Sequence, residues 1–391
     1  MKYDFIVVGA GIAGASIAYE LAHVSRVCLI EAEDRPGLHS TGRSAALFAP
    51  SYGGREIRAV TRASRSFFDR PPVGFTDAPL LKARGCLYIA REDQQARLAQ
   101  MAQNIKASGG DVSLIKPRRA LELIPRLREA YVAGAALDRD AMDIDVDALH
   151  QAFLRGARTL GAILLTSHRL PDAERVGGVW RLKALGGVIE GPVLINAAGA
   201  WADEVAVSSG APTVGLQPYR RTAMVIDPPI GTDVRQWPAV IDADEQFYFK
   251  PDAGRLLLSP ADETPDRPGD AQPDEMDIAI GVDRVQAALD LEVRRINHSW
   301  AGLRTFAPDR VPVIGYDPAV DGFFWCAGQG GYGIQTAPAM ARVAAALARG
   351  EPLPEDVASE GLFAEDLSPV RFAGAASTKA ASPKPDWIKA P

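Results

Sequence analysis

YDFIVVGAGIAGAS, residues 3–16, decides the reading of the whole chain. Phe5 to Val8 is β-branched and apolar, as a buried strand requires, and it breaks directly into Gly9-x-Gly11-x-x-Gly14. The first glycine permits a tight turn, the second lets backbone approach a pyrophosphate, and the third lets helix pack on strand. The helix N-terminus then faces the anion. ASIAYELAHV reads as that helix and RVCLIE as the next strand, completing one βαβ unit. Glu31 ends it, about 20 residues past the first glycine, where an acid binds ribose hydroxyls and repels a 2′-phosphate. The unit predicts FAD or NAD rather than NADP.

Two later segments separate those cofactors. Asn196 to Trp201, with Ala198 and Gly199, and Gly328 to Gly333 both place small residues directly after an apolar strand. Distant pieces that return to one ligand suit an extended FAD. The rest of the composition narrows the function classes. A chain of 391 residues, 47% hydrophobic, exceeds one ordinary core, and a formal charge of −6 without a basic run argues against nucleic acid. Cys28, Cys86 and Cys326 form no CxxC pair, and the five histidines show no ligand spacing, so thiols and no metal are expected. Neither a signal peptide nor a membrane span is legible, which predicts a cytoplasmic protein.

Further along, Ser44 onward reads as the start of a helix, and residues 80–142 read as an insertion containing the strand CLYIA and a Gln/Arg-rich helix. A helix follows near Asp145 to Thr159. TAMVID and FYFKP are strands, ADETPDRPGDAQPDE is a surface loop expected to carry little chemistry, and GQGGYGIQTAPAMARVAAALARG is a glycine turn opening a helix. The last twenty or so residues are rich in Ala, Ser, Lys and Pro, the composition of a flexible tail.

In this order, YDFIVVGAGIAGAS, HSTGRSAA, VLINAAGAWAD, FYFKPDAG, WAGLRTFAPD and GQGGYGIQT make the sequence resemble the D-amino-acid oxidase superfamily of flavoproteins, and within it the D-arginine dehydrogenase branch. The resemblance runs from about residue 3 to about 370. It implies an α/β protein: a Rossmann-like FAD-binding domain built from discontinuous segments (1–79, 143–212 and 318–370), with an α+β substrate domain on a mixed sheet (80–142 and 213–317) and a tail at 371–391. It implies non-covalent FAD and oxidation at CH–NH2 or CH–NH: hydride passes from a D-amino acid Cα to flavin N5, and the imino acid hydrolyses to a 2-oxo acid and ammonia. The flavin is then reoxidised by O2 or a quinone-like acceptor. Oxidation of a secondary amine such as sarcosine, glycine or a proline derivative stays open, as does a flavin-binding subunit without turnover of its own.

The resemblance assigns the substrate carboxylate to Arg304 and Arg221, whose planar guanidinium groups can grip both oxygens, and places Tyr248 and Tyr52 against the substrate. It puts Gly331 and Gln335 near flavin and substrate, with Tyr332, Gly333 and Ile334 completing the flavin turn after Gly328 and Gly330. Ser40, Thr41, Gly42, Arg43 and Ser44 form a flavin loop in which hydroxyls and backbone N–H groups bind the cofactor and Arg43 neutralises phosphate. One departure stands out. Where the arginine-preferring branch carries an acid, this chain has Cys86, and Leu47 and Phe48 stand where a polar residue is expected. An uncharged wall predicts neutral or hydrophobic side chains.

Overall fold

In the computed structural model, residues 1–107, 109–169, 173–184 and 187–373 are described. The opening fingerprint folds as its pattern requires. The strand Phe5–Val8, buried throughout, leads into the helix Ile12–Ala22, and Val27–Ile30 returns beside it in parallel. These strands belong to a six-stranded sheet in the order Val313–Tyr316, Phe323–Ala327, Val193–Asn196, Phe5–Val8, Val27–Ile30, Ile163–Leu165. All neighbours run parallel except the first pair. A parallel sheet must be covered on both faces, and its strands are accordingly apolar runs. The helix Ile12–Ala22 is buried on nearly every side, as a helix wedged among others should be.

A second, nine-stranded mixed sheet carries Gln217–Ile226, Ile296–Phe306, Tyr248–Asp252, Ala239–Asp242 and Cys86–Ala90 among its members. Its longest pairing is antiparallel, between Gln217–Ile226 and Ile296–Phe306. The stretch 80–142 is tied into this sheet, because Cys86–Ala90 pairs in parallel with Ala239–Asp242. Val313–Tyr316 closes the edge of the first sheet, ahead of residue 318 where the expected third FAD segment begins. The pattern is α/β, as expected.

Three local expectations differ from the structure. No helix starts at Ser44: Leu47–Phe48 is a short strand paired with Asp143 and Met142, and the helix waits until Arg55–Asp69. Pro50 disfavours helical backbone at Ala49, and Gly53, at φ +96°, turns the chain before the helix can begin. Within the acidic stretch 261–275, Thr264–Pro265 pairs with Tyr219 and Arg220. The tail starts later than 371, since Arg371 holds Asp309 at 2.6 Å; the remainder of that expectation, from 374, lies outside the described residues.

Candidate active site

Two cavities meet where the sheets face each other. The first, about 540 Å3, follows the glycine fingerprint. Gly9, Gly11, Glu31, Ser40, Thr41, Arg43, Ser44, Ala198, Gly199, Trp201, Gly330, Gly331, Gly333 and Ile334 line it. Gly14, Gly42, Gly328 and Tyr332 do not, and the first two show why glycine is still needed there. A Cβ on Gly14 would sit 1.7 Å from the Gly9 carbonyl oxygen, and one on Gly42 would sit 2.5 Å from that of Gly37. Glu31 accepts from the Ala10 N–H at 2.8 Å and the Glu33 N–H at 3.0 Å, so its carboxylate is fixed at the cavity wall. Thr41 Oγ accepts from the Ile12 N–H at 3.0 Å, joining the loop to the helix start.

This cleft fits FAD. Backbone that a Cβ would block, an acid at the strand end, and the buried, unpartnered Thr305 Oγ1 and His39 Nδ1 at its rim are what a pyrophosphate, a ribose and a polar ring edge would use. Arg43 corrects its expected role. Its guanidinium is taken by the Ala271 and Ala301 carbonyls at 2.9 Å each and by Asp270, so it ties the flavin loop to the second sheet and is no free phosphate partner. The same contacts correct the reading of stretch 261–275 as chemically idle. Asp262 also accepts from the Thr222 N–H at 2.6 Å, and its carbonyl takes Arg221 Nε at 2.6 Å.

The second cavity, about 460 Å3, adjoins the first and shares Ser44, Ala45, Arg221, Tyr248, Arg304, Gly331 and Ile334 with it. Strand register explains the arginine pair. Arg221 lies opposite Gly302, and Arg304 opposite Tyr219, so the two guanidinium groups share one face on a diagonal. Arg220, one residue away, must point to the other face, where Asp277 meets it at 2.9 Å. Burial pushes Arg221 down, and Arg304 pushes it further. Burial also opposes the charge of Arg304, but Tyr248, Tyr52, Tyr332 and Glu263 together hold that group up. Two neighbouring cations in one cavity call for an anionic ligand. A Cβ on Gly331 would lie 2.9 Å from the Arg304 guanidinium, so that glycine leaves the room it occupies.

Leu47, Tyr52, Cys86 and Gln335 line this second cavity with Tyr332. Gln335 accepts from the Ala49 N–H at 3.0 Å, while its buried Nε2 has no partner and is available to a ligand. Phe48 is not brought there. It is fully buried against Phe68 in the core beneath, because its strand sends Leu47 and Phe48 to opposite faces. The expectation of an acid-free wall also fails: Asp244, Glu245 and Glu263 face the same cavity. Asp244 meets Arg97 at 3.1 Å and Glu263 meets Arg310 at 2.7 Å. Glu245 was missed because its turn, Asp242 to Phe247, lies far in sequence from Cys86. A signal was there in the acid two residues before the start of FYFKP.

The chain matches the family model described as FAD dependent oxidoreductase (DAO) over residues 4–347. It is similar to glycine oxidase of Bacillus licheniformis, 26% identical over 363 residues covering 90% of this chain and 94% of that protein. Its fold is that of glycine oxidase from Geobacillus kaustophilus (TM-score 0.78, 23% identity, 90% of this chain and 95% of that one). It is likewise that of L-proline dehydrogenase from P. horikoshii (TM-score 0.76, 23% identity, 95% and 98%). Among the described residues, no helix is long and apolar enough to cross a membrane. With a cleft shaped for FAD opening onto a second cavity that can hold an amine or amino acid, the chain belongs to the DAO family of FAD-dependent oxidoreductases.

Proposed function

We propose that this protein oxidises D-amino acids with neutral side chains, giving an imino acid that water converts to a 2-oxo acid and ammonia. The observation that carries it is the pair Arg221 and Arg304, side by side where the two cavities join. Bound FAD supplies the hydride acceptor. The chain's own residues do the rest. Arg304 and Arg221 grip the carboxylate, and Tyr52, whose phenol is held well above its ordinary range by Glu245 and then by burial, stays protonated as a hydrogen-bond donor. The cavity of about 460 Å3 is far larger than glycine fills, so a side chain has room beside Leu47 and Cys86. The acids Asp244 and Glu263 are already matched by Arg97 and Arg310, and the uncharged Leu47 and Cys86 flank the space left for a side chain.

A second reading is oxidation of glycine or a secondary amine, favoured by the names of the relatives, glycine oxidase and L-proline dehydrogenase. A screen of D-Leu, D-Met, D-Phe, D-Pro, D-Arg, D-Lys, their L-enantiomers, glycine and sarcosine separates the two, with purified chain and an artificial electron acceptor. Neutral D-amino acids should have the highest kcat/KM. D-Arg in first place would overturn the side-chain preference, glycine or sarcosine in first place would favour the second reading, and no turnover at all would point to a subunit without independent activity.

A further inference from the structure

The acid that faces the substrate cavity at Glu245 has no role in a scheme made of an arginine clamp and a hydride acceptor. Its placement is costly. Glu245 sits at φ +55°, a left-handed conformation that a non-glycine residue adopts only when its surroundings enforce it. The enforcement is visible. Asp242, fully buried, accepts from the N–H groups of Asp244 at 3.0 Å and Gln246 at 3.3 Å, from Gln94 at 3.1 Å and from the Tyr131 hydroxyl at 2.9 Å. The Glu245 N–H closes the turn on the Asp242 carbonyl at 2.8 Å. A turn pinned at this many points aims one carboxylate into the cavity, and among the described residues no basic side chain lies within ion-pairing distance of it.

We propose that Glu245 is the proton acceptor for the substrate's ammonium group. This rests on the amino-acid reading above. An amino acid arrives as a zwitterion, and its carboxylate satisfies Arg221 and Arg304. The ammonium nitrogen must lose its proton before hydride can leave the neighbouring carbon. In the step proposed, one N–H bond of the ammonium breaks, its electron pair stays on nitrogen, and the proton joins a Glu245 carboxylate oxygen. The products are a neutral amine and a carboxylic acid, with no change of oxidation state.

The surroundings raise the proton affinity of Glu245 above that of an ordinary carboxylate. Burial raises Glu245, while Arg221, Arg97 and Arg304 pull it back and Glu263 adds a smaller push upward. Tyr52, Tyr332, Cys86 and Tyr88 also feel its charge, and each is itself raised, so none competes for the role of base. Asp244 next in sequence is matched by Arg97.

The test uses FAD-loaded protein and Glu245→Gln, which keeps size and backbone preference. Wild-type kcat/KM for the best amino acid should hold level below the substrate ammonium pKa, down to the ionisation of Glu245. In Glu245→Gln it should fall about tenfold per pH unit below the ammonium pKa, because only free amine reacts, a loss of about 10²-fold or more at pH 7. Glu245→Asp should recover part of it. A readout without turnover is binding of 2-aminoisobutyrate, which has an ammonium but no Cα–H: its Kd should rise about tenfold in Glu245→Gln while that of isobutyrate does not rise. An unchanged pH profile, or a loss confined to cationic side chains, would overturn the proposal while leaving the amino-acid reading intact. A wild-type flavin reduced by no amino acid would sink both.

Discussion

The cofactor cleft and the substrate cavity share a wall but are built from different parts of the chain. The cleft is mostly main chain: the turns at Gly9 to Gly14, 37–44 and 328–333 present backbone groups, and the side chains that matter are missing ones. The substrate cavity is made of side chains from five distant places, Tyr52, Cys86, Arg221, the stretch holding Glu245 and Tyr248, and Arg304, with charges that oppose one another until a ligand arrives. At Gly9, Gly14 and Gly42 the cradle tolerates no added atom, because a Cβ would strike backbone, whereas a side-chain cavity tolerates substitution and changes its chemistry. The two should therefore fail differently.

The largest effect should come from the cradle. Gly14→Ala puts a methyl 1.7 Å from the Gly9 carbonyl, with no flexible atom to move aside, and the purified protein should lack flavin absorbance. Stoichiometric flavin in that variant would break the distinction at its root. Next, Arg304→Met should retain flavin yet lose about 3 kcal/mol of transition-state binding, near 10²-fold in kcat/KM, as expected when one partner of a buried charged contact is removed. Loss of flavin instead would mean that this side chain belongs to the cradle.

The smallest effect concerns a half-buried acid on the cofactor side that faces neither cavity. Burial raises Glu20 to about 7, against the pull of Arg342 and Arg349. The folded protein therefore holds a proton there that the unfolded chain releases above about 4.5, and stability falls as pH rises between those values. Glu20→Gln should raise Tm at pH 8 by an amount equivalent to about 1–3 kcal/mol and do little at pH 4. Activity should be unaffected, in contrast with Glu245, so a kinetic phenotype at Glu20 would blur the comparison between the two acids.

Local patterns explain which parts were legible. The strand, glycines, helix and Glu31 lie within one βαβ unit, so a period of apolar residues and a spacing suffice to place them, and the helix at Val146–Thr159 announces itself through the Asp145 cap that accepts from the Ala148 N–H at 2.9 Å. Arg221 could not be told from Arg220 until the antiparallel register put them on opposite faces. Phe48 was misplaced for the same reason, since one step along a strand exchanges cavity for core. Arg43 kept its charge but not its partner, because Asp270 and the Ala271 carbonyl come from over two hundred residues away.

By itself the sequence determined the family resemblance and the flavin cradle, since each is written in short motifs whose geometry follows from the local chain. Only the tertiary structure decided the electrostatics of the substrate cavity. The strand Cys86–Ala90 presents the uncharged Cys86 to the cavity, and the Asp242-pinned turn brings Glu245 there from the neighbouring strand's end. Charges interact through space, and which of them share a cavity depends on strand pairing that no short stretch of sequence specifies.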